Sequence, residues 1–429
     1  MRRVLLVFYN IIGVPFLFFV AFIGYLANAK IRKGIKGRVN NIKEIKDSLR
    51  QVVPERPRIW FHVSSYGEFL QIKPVLNFLK QADPNIFTII SFFSPSGYDH
   101  TPVQPSIDLK CYIPLDSYFH AKKFVSIVSP KVAAIVRHDI WPNFVWRLYV
   151  EKIPLILIDA SLPQNSSRTW PIFRSMNRKL FGLMEAILAI SNEEAKKFGR
   201  LIDKSEKIFV IGDTKYDQVF ERSQNLDRIT MLMEDSQLHK KDVIVVGSSW
   251  QTDEDYLIPA FEQLSQKYKN MMIILAPHEP TPSRIKEIES RLNDAQLTSM
   301  RLSQFKPGKL KSLCLIIDQV GLLANIYYLG KIAFVGGSFH YKVHNVLEPA
   351  VYGIPVLFGP KMTNSSEAQN LLKNDAALLV NSSQQIIDAI SNLFDNPEAA
   401  KEYGERSKQI VMQNVGNSLK IAQFLLRYF

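Results

Sequence analysis

Short apolar runs recur along most of the chain and are separated by segments with helical periodicity. In the first half they fall at 57–63, 86–93, 109–114, 131–136, 154–159, 185–190 and 207–211. In the second half they fall at 242–247, 270–276, 313–318, 331–335, 355–358 and 376–380. The runs are apolar throughout rather than alternating, which is typical of parallel strands buried on both faces of a sheet. We therefore predict two doubly wound, Rossmann-like α/β domains.

A polar segment divides the two series of strands. Residues 221–241 are charged and contain no glycine, so we interpret them as a linker. The predicted domains are then 57–220 and 242–410, followed by a C-terminal helical segment at 411–429. Ligands of such sheets bind beyond the carboxyl ends of the strands, and a cleft that two such domains face is the usual active site. Functional residues are therefore expected in the loops that follow the strands.

The N-terminal segment carries no charged side chain over residues 4–29, which is about the length that a membrane-spanning helix needs. We predict a transmembrane anchor at 1–30 and a basic juxtamembrane segment at 31–56. Basic residues are fewer before the apolar segment than after it, so we expect the rest of the chain on the cytoplasmic side. They are Arg2 and Arg3 before it, and Lys30, Arg32, Lys33, Lys36 and Arg38 after it.

Two other interpretations of this segment remain open. The sequence Ala27-Asn28-Ala29 resembles a signal-peptidase site, although the apolar stretch is long for a signal peptide and the basic run opposes export. The helix could also lie only partly in the membrane. In either membrane arrangement the basic run suits anionic lipid headgroups.

Net charge and cysteine content narrow the class of partner. The 429 residues carry a net charge of +13, which favours anionic partners. No nucleic-acid-binding motif is evident, so anionic lipids and anionic substrates are favoured over nucleic acid. The two cysteines, Cys111 and Cys314, lie in strand-like runs and are expected to be buried thiols in a reducing compartment. No cysteine–histidine spacing indicates a zinc site.

The loop after the first predicted strand contains a candidate general base. It reads Ser-Ser-Tyr-Gly-Glu over residues 64–68, and Gly67 would allow a tight turn that places Glu68 in the first turn of a helix. A carboxylate there can act as a general base or can simply complement the helix dipole. The spacing alone leaves both roles open.

Two further loops of the first domain hold ionisable residues. Residues 137–143 read Arg-His-Asp-Ile-Trp-Pro-Asn after the fourth strand. Asp139 there could cap a helix, orient another group or contact a ligand. Residues 212–217 read Gly-Asp-Thr-Lys-Tyr-Asp after the seventh strand, and Lys215 is either a cation for a phosphate or carboxylate or a solvated lysine.

The second domain offers backbone and side-chain groups suited to an anion. Gly247-Ser248-Ser249-Trp250 precedes a helix predicted to start near Thr252, where free N–H groups can bind an anion. Residues 277–280 read Pro-His-Glu-Pro after the next strand, and 336–338 read Gly-Gly-Ser after another. Asn345 can cap a helix that runs to about Tyr352. Glu348 lies at capping-box spacing and could instead hold the two hydroxyls of a ribose. His340 and His344 lie mostly in loop, so we expect no metal there.

Several of these motifs, in this order, resemble GT-B glycosyltransferases and more narrowly the 3-deoxy-D-manno-octulosonic acid (Kdo) transferases of lipopolysaccharide synthesis. The resemblance covers nearly the whole chain. The matching segments are 59–68 (IWFHVSSYGE), 140–143 (IWPN), 212–217 (GDTKYD), 247–250 (GSSW), 334–339 (FVGGSF), 344–350 (HNVLEPA) and 358–364 (FGPKMTN).

The resemblance implies a GT-B fold and an inverting transfer of Kdo from CMP-Kdo to a lipid A precursor. The enzyme would act at the cytoplasmic face of the inner membrane beside anionic lipids, without a metal or cofactor. Glu68 matches the family's catalytic glutamate, and Asp139 is placed beside it in the catalytic set. On the acceptor side we place Ser64, Ser65, Gly67 and Trp141. For the donor we expect Lys215, Ser248, Ser249, Pro277, His278, Gly336, Gly337, Ser338, Asn345 and Glu348.

Three positions depart from the family pattern. Arg137-His138-Asp139 stands where the family has Glu-Thr-Glu, and residues 277–280 lack the arginine of Pro-Arg-His-Pro. Asp159-Ala160-Ser161 replaces Asn-Ala-Arg. The departures leave two alternatives: a GT-B enzyme that uses a UDP-sugar, such as a lipid-disaccharide synthase or a sugar epimerase, and a membrane-tethered nucleotide-sugar-binding protein without catalysis.

Overall fold

The computed structural model describes residues 6–50, 56–162, 171–202, 205–235, 238–308 and 312–429. Two compact units are present: Met1–Gln218 together with Gly416–Phe429, and Val219–Val415. Arg2 and Arg3, on which the predicted charge asymmetry partly depends, and residues 51–55 of the predicted juxtamembrane segment lie outside the described residues.

The first unit contains a seven-stranded parallel sheet with the strand order β3-β2-β1-β4-β5-β6-β7. All seven predicted runs form strands whose ends lie within two residues of the prediction, because residues without a polar alternation can be buried on both faces. The strands are β1 Arg58–Val63, β2 Phe87–Phe92, β3 Leu109–Tyr112, β4 Val132–Val136, β5 Leu155–Ala160, β6 Ala186–Ala189 and β7 Ile208–Val210.

Helices cover both faces of this sheet and form two hydrophobic clusters with it. They are α1 Val14–Ala27, α2 Ala29–Lys36, α3 Asn41–Arg50, α4 Tyr66–Ala82, α5 Pro95–His100, α6 Tyr118–Val128, α7 Pro142–Val150, α8 Pro171–Gly182, α9 Asn192–Leu201 and α10 Lys215–Ser223. The last of these helices extends into the second unit.

The end of the chain belongs to the first unit. Its last helix, Asn417–Leu426, buries Ile421 and Leu425 in the same cluster as Ile72 and Leu76 of α4. The Asp217 carboxylate accepts the backbone N–H groups of Gly416 (2.7 Å), Asn417 (3.1 Å) and Ser418 (3.2 Å). These bonds satisfy donors that a helix start leaves unpaired, and they fasten the C-terminal helix to α10.

The second unit also contains a seven-stranded parallel sheet, with the order β10-β11-β9-β8-β12-β13-β14. The strands are β8 Asp242–Ser249, β9 Met271–Pro277, β10 Ser299–Arg301, β11 Cys314–Ile316, β12 Ile332–Val335, β13 Val356–Phe358 and β14 Leu378–Leu379. The six predicted strands are present. The edge strand β10 is additional, and its three residues are only half-buried.

Cys314, like Cys111 of the first unit, is a buried free thiol. The helices of the second unit pack against both faces of its sheet. They are α11 Thr230–Met233, α12 Gln251–Lys267, α13 Pro282–Asp294, α14 Leu323–Ile326, α15 Leu347–Ala350, α16 Ser366–Lys373, α17 Ser383–Asp395 and α18 Pro397–Gln413. The final helix of the chain, Asn417–Leu426, is α19.

Residues 221–241, interpreted from the sequence as the connection between the two domains, pack within the second unit over their described part. Ile229, Leu232 and Leu238 are each at most 2% exposed and pack in one cluster with Val243 and Val245 of β8. These three apolar side chains hold the segment on the second unit, because leaving them in water would forgo their burial.

The N-terminal segment is helical over Leu6–Ala27, with a π-helical turn at Tyr9–Gly13 that leads into α1. These 22 residues are long and apolar enough to cross a membrane. The chain then turns at Asn28, whose side chain caps α2 by accepting the N–H groups of Lys30 and Ile31.

Candidate active site

The loop between β1 and α4 fixes the position of Glu68. Ser65 is the N-cap of α4, and its hydroxyl accepts the Glu68 N–H at 3.4 Å. The Glu68 carboxylate turns back, and its Oε2 accepts both the N–H (2.5 Å) and the hydroxyl (2.8 Å) of Ser64. Within the described residues no hydrogen bond reaches Oε1. One oxygen is therefore held by the loop and the other is available to a substrate.

The surroundings of Glu68 tune its basicity in both directions. Burial raises the pKa of the carboxyl above its ordinary value, and the nearby Asp139 charge adds to the rise. The two bonds from Ser64 and the neighbouring His62 lower the pKa and offset part of this effect. A raised pKa makes a carboxylate a stronger base, as a general base requires.

Gly67 is not needed for a tight turn, contrary to the prediction. It lies in the first turn of α4, outside the positive-φ residues, and a Cβ there would meet only the Ser65 hydroxyl at 3.9 Å. Glycine at this exposed position leaves open space beside Glu68.

Sequence analysis missed His62, which lies next to this loop. His62 is completely buried in β1, where its Nε2 lies 3.0 Å from Asp139 Oδ2 and its Nδ1 lies 2.9 Å from the Ser91 hydroxyl. The ionised Asp139 can only accept, so Nε2 carries the proton toward it. The one available signal was a histidine inside an otherwise apolar strand. Asp139 is thereby oriented through a buried ring beside Glu68.

Arg137 occupies a left-handed backbone conformation, with φ of 63°, at the carboxyl end of β4. Its Nη2 donates to both oxygens of Asp213 (2.9 and 3.0 Å), its Nε donates to Gln71 and its Nη1 donates to the Ser161 hydroxyl. Two of the positions that depart from the family pattern, Arg137 and Ser161, thus contact each other.

Asp159, which belongs to the same departing segment as Ser161, joins this group of contacts. Asp159 accepts the N–H and the hydroxyl of Thr214, and burial together with the Asp213 charge raises the pKa of Asp159 to about 6. Lys215 begins α10, and its N–H donates to Asp213 at 2.8 Å. The residues at 137, 159 and 161 therefore form one connected group of hydrogen bonds with the 212–217 loop.

In the second unit, residues 247–250 are used largely by the fold itself, and the first three of them complete β8. Ser248 adopts a positive φ of 54°, and the buried Ser249 donates its hydroxyl to Glu254 at 2.8 Å. Glu254 is also paired with Arg284 (2.5 Å) and Arg291 (3.3 Å). The helix begins at Gln251, one residue before the predicted start.

Asp253 organises the glycine loop after β12. Its buried carboxylate accepts the N–H groups of Trp250 (2.9 Å), Gly337 (2.7 Å) and Phe339 (2.9 Å). The N–H groups of Gly337 and Phe339 are therefore taken by Asp253 rather than left for an anion, and the next helix begins only at Leu347. Gly337 itself has φ of 77°, and a Cβ would lie 2.3 Å from the Lys342 carbonyl oxygen.

Gly336 and Ser338 support the same loop. A Cβ at Gly336 would lie 2.5 Å from the Ser248 carbonyl oxygen, so glycine lets β8 and β12 end close together. Ser338 is completely buried, and its hydroxyl donates to the Val335 carbonyl (3.0 Å) and accepts the Gly359 N–H (2.7 Å). Both residues shape the loop from inside.

Aromatic rings gather beside this loop. Trp250 stacks between His278 (4.8 Å between centroids) and His340 (4.7 Å), and its Nε1 donates to His344 Nε2 at 3.1 Å. Partial burial lowers the pKa of His278, and burial together with His278 and Lys342 lowers that of His344 to about 4. His278 follows Pro277, the last residue of β9, and faces a pocket of about 280 Å³ that Arg284 also lines. Pro277 and His278 are both among the residues that the sequence analysis expects to contact the donor.

The helix around Glu348 differs from the prediction. α15 spans only Leu347–Ala350, and Asn345 accepts the Leu347 N–H at 3.2 Å without being the N-cap. Glu348 does not close a capping box and instead lies 3.8 Å from Arg222. Burial raises its pKa, and Arg222 and Asn345 offset part of the rise. The side chains of Asn345 and Glu348 are both half-buried, so a ligand can reach them.

Comparison with solved structures defines the class of this fold. The chain is similar to a UDP-GlcNAc 2-epimerase from Neisseria meningitidis, with a TM-score of 0.62, 17% identity and coverage of 86% of this chain and 100% of that one. It is also similar to a UDP-N-acetylglucosamine 2-epimerase from Listeria monocytogenes, with a TM-score of 0.61, 13% identity and coverage of 86% and 95%. These likenesses show the GT-B fold.

Sequence comparison is more specific. Residues 33–218 match the sequence model of the 3-deoxy-D-manno-octulosonic-acid transferase family. The chain is 25% identical over 381 residues to the enzyme of that name from Haemophilus influenzae, covering 87% of this chain and 88% of the relative. It is 24% identical over 425 residues to the one from Chlamydia pneumoniae, covering 96% and 93%. These matches confirm the resemblance to Kdo transferases.

Proposed function

We propose that this protein transfers Kdo from CMP-Kdo to a lipid A precursor, with inversion at the anomeric carbon and Glu68 as the general base. The observation that carries the proposal is the Glu68 carboxylate, which is held through one oxygen at the end of β1 while Oε1 is left for a substrate proton. Similarity to Kdo transferases supports the choice of donor and acceptor.

The chemistry needs one proton acceptor and one leaving group. Glu68 takes the proton from an acceptor hydroxyl as that oxygen attacks the anomeric carbon of Kdo. The bond between that carbon and the phosphate oxygen breaks, and CMP leaves with the electron pair. A positioned base typically contributes about 10²–10⁴-fold to such a step. Burial is the main cause of the raised pKa of Glu68, the Asp139 charge adds to the rise, and His62 holds Asp139 in place.

Donor binding falls to the second unit in this proposal. Glu348 and Asn345 accept hydrogen bonds from the ribose hydroxyls, and the pocket at His278 receives the phosphate. Partial burial lowers the pKa of His278 and so favours its neutral form, which can still donate a hydrogen bond to the phosphate. A single phosphate carries less charge than a pyrophosphate, so the reaction needs no divalent metal.

The membrane arrangement follows from the N-terminal helix. Leu6–Ala27 anchors the protein in the inner membrane, and the basic residues that follow it hold the catalytic units on the cytoplasmic side among anionic lipids. Anchoring confines the enzyme to the surface that contains a lipid acceptor, which raises the acceptor's effective concentration.

The direct test is a mass spectrum of the lipid after purified full-length protein has been incubated with CMP-Kdo and a lipid A precursor. The wild type should add the mass of Kdo, and Glu68→Gln should keep CMP binding but lose at least 100-fold in rate, in line with the roughly 10²–10⁴-fold value of a base. Glu193→Gln is the matched control, because Glu193 also lies in the first turn of a helix but is exposed.

The other outcomes separate the alternatives. Near-normal turnover of Glu68→Gln would remove the base assignment and leave the transfer reaction intact. Binding that UDP rather than CMP competes away would favour an enzyme that uses a UDP-sugar. CMP-Kdo binding without any transfer by the wild type would indicate a binding protein. Unchanged CMP affinity in Glu348→Ala would remove the ribose contact.

A further inference from the structure

A cavity of about 320 Å³ lies in the first unit between the N-terminal helices and the loops that follow β2 and β4. Its wall is largely apolar and includes Phe18 and Ala21 of α1, Ile35 of α2, and Phe93, Leu115 and Trp141. The volume falls within the roughly 300–1,000 Å³ range of sites for small ligands. One wall of the cavity is therefore the candidate membrane helix itself.

Two buried polar atoms on residues that line the cavity have no hydrogen-bond partner among the described residues. They are Asp116 Oδ1 and Trp141 Nε1, an acceptor and a donor. The other oxygen of Asp116 accepts the Tyr9 hydroxyl (2.8 Å) and the Asn143 N–H (3.2 Å), so the residue is fixed in place. Buried polar groups are rarely left unpaired, because desolvation is costly. Neither atom is itself accessible to solvent, so both lie behind the cavity wall rather than on its surface.

Positive charge lines the same cavity. The Arg38 guanidinium donates to the carbonyl oxygens of Ile113 (2.8 Å), Gly34 (2.7 Å) and Phe93 (2.6 Å) and lies over the Phe93 ring. In the described part of the chain no carboxylate forms an ion pair with it. Lys30 also lines the cavity. This combination of an apolar interior and uncompensated cations is complementary to a lipid that carries phosphate.

The cavity wall is continuous with the loop that holds Glu68. The N–H of Ser94, another lining residue, donates to the Ser64 carbonyl at 3.0 Å, and the Phe93 N–H donates to the Val63 carbonyl at 3.2 Å. Phe93 stacks on Trp141, with 5.2 Å between the ring centroids, and Trp141 lies two residues after Asp139 in the sequence. An acyl chain bound in the cavity would therefore place the headgroup attached to it beside the loop that holds Glu68. That position serves a lipid that is a substrate and has no role for a bulk membrane lipid.

We propose that this cavity binds one acyl chain of the acceptor lipid against its apolar wall, with Arg38 and Lys30 facing the lipid's phosphate. The proposal rests on the proposed transfer to a lipid acceptor. It makes the N-terminal helix part of the acceptor site as well as an anchor, and it predicts that α1 contributes to acceptor specificity.

The kinetic test fills the cavity from its membrane-helix wall. In full-length protein, Ala21→Trp should raise the KM for an acylated lipid A precursor at least tenfold. It should leave the KM for CMP-Kdo and the rate with a fully deacylated precursor unchanged, and the latter also shows that the variant folds. Ala27→Trp is the control, because Ala27 lies exposed on the same helix and does not line the cavity. An unchanged KM for the acylated precursor in Ala21→Trp would overturn the proposal.

A binding test does not depend on turnover. A lipid A precursor with a photoreactive diazirine in one acyl chain should label peptides containing Phe93 or Trp141 in the wild type and much less in Ala21→Trp. Equal labelling by phosphatidylglycerol with the same diazirine would assign the cavity to bulk lipid and overturn the proposal. If the wild type is labelled by the precursor but transfers no Kdo, the proposed function fails while the acyl-chain site stands.

Discussion

Ser64 holds Glu68 through two hydrogen bonds to one carboxylate oxygen, with its N–H 2.5 Å and its hydroxyl 2.8 Å from Oε2. Both bonds favour the ionised form and oppose burial, which raises the pKa of Glu68. The pKa of Glu68 is therefore set by opposing contributions, and a substitution can remove each of them separately. Only the deprotonated carboxylate accepts the acceptor's proton, so the rate should fall as the pH drops through this pKa.

Ser64→Ala should move the acidic limb of the pH profile to higher pH. The substitution removes the hydroxyl bond, which lowers the pKa of Glu68, and keeps the N–H bond. A bond to a charged group is worth about 1.5–3 kcal/mol, so the shift should be about one to two pH units. The measurement is kcat/KM for Kdo transfer against pH. Ser126→Ala, on an exposed turn of α6, is the control, and a shift to lower pH would contradict the balance.

Asp139→Asn should move the same limb in the opposite direction. The Asp139 charge raises the pKa of Glu68, and asparagine removes that charge while its side-chain oxygen can still accept the His62 Nε2–H. The acidic limb should therefore move to lower pH, with a smaller maximal rate because a less basic carboxylate removes a proton less effectively. An unchanged acidic limb in this variant would show that the Asp139 charge does not influence the pKa of Glu68.

The strands were predictable from the sequence because residues buried on both faces leave a continuous apolar run. The edge strand Ser299–Arg301 left no such run, since its three residues are only half-buried. His62 and Asp253 were missed for a different reason. Their roles depend on partners from neighbouring strands or from a distant loop, Ser91 and Asp139 in one case and Gly337 in the other. Spacing along one segment does not contain that information.

Arg137 and Asp213 should depend on each other for stability. Their side chains form a salt bridge that is about 10% and 8% exposed, and removing one partner leaves the other charge buried. Arg137→Met should lower the free energy of unfolding by about 3–5 kcal/mol, while Arg137→Met with Asp213→Leu should recover most of the loss. Denaturant unfolding of the full-length protein measures this. Lys267→Met, which breaks the exposed pair with Asp395, should have no measurable effect. Equal losses in the single and double variants would show that the pair is not coupled.

Asp253→Asn should damage the donor site without touching Glu68. The carboxylate accepts three N–H groups, from Trp250, Gly337 and Phe339, and an asparagine must turn its NH2 group toward at least one of them. The loss of a buried bond costs about 1–3 kcal/mol and should loosen the loop after β12.

This loosening should appear as a KM for CMP-Kdo about tenfold higher and as weaker thermal protection by CMP, because the free-energy cost falls on the arrangement of the loop. The acidic limb of the pH profile should stay where it is in the wild type, since Glu68 keeps its own partners. Asp255→Asn is the control two residues along the same helix, where the carboxylate pairs with Arg291 at a half-exposed position. A normal KM in Asp253→Asn would show that the loop's shape does not depend on these three bonds.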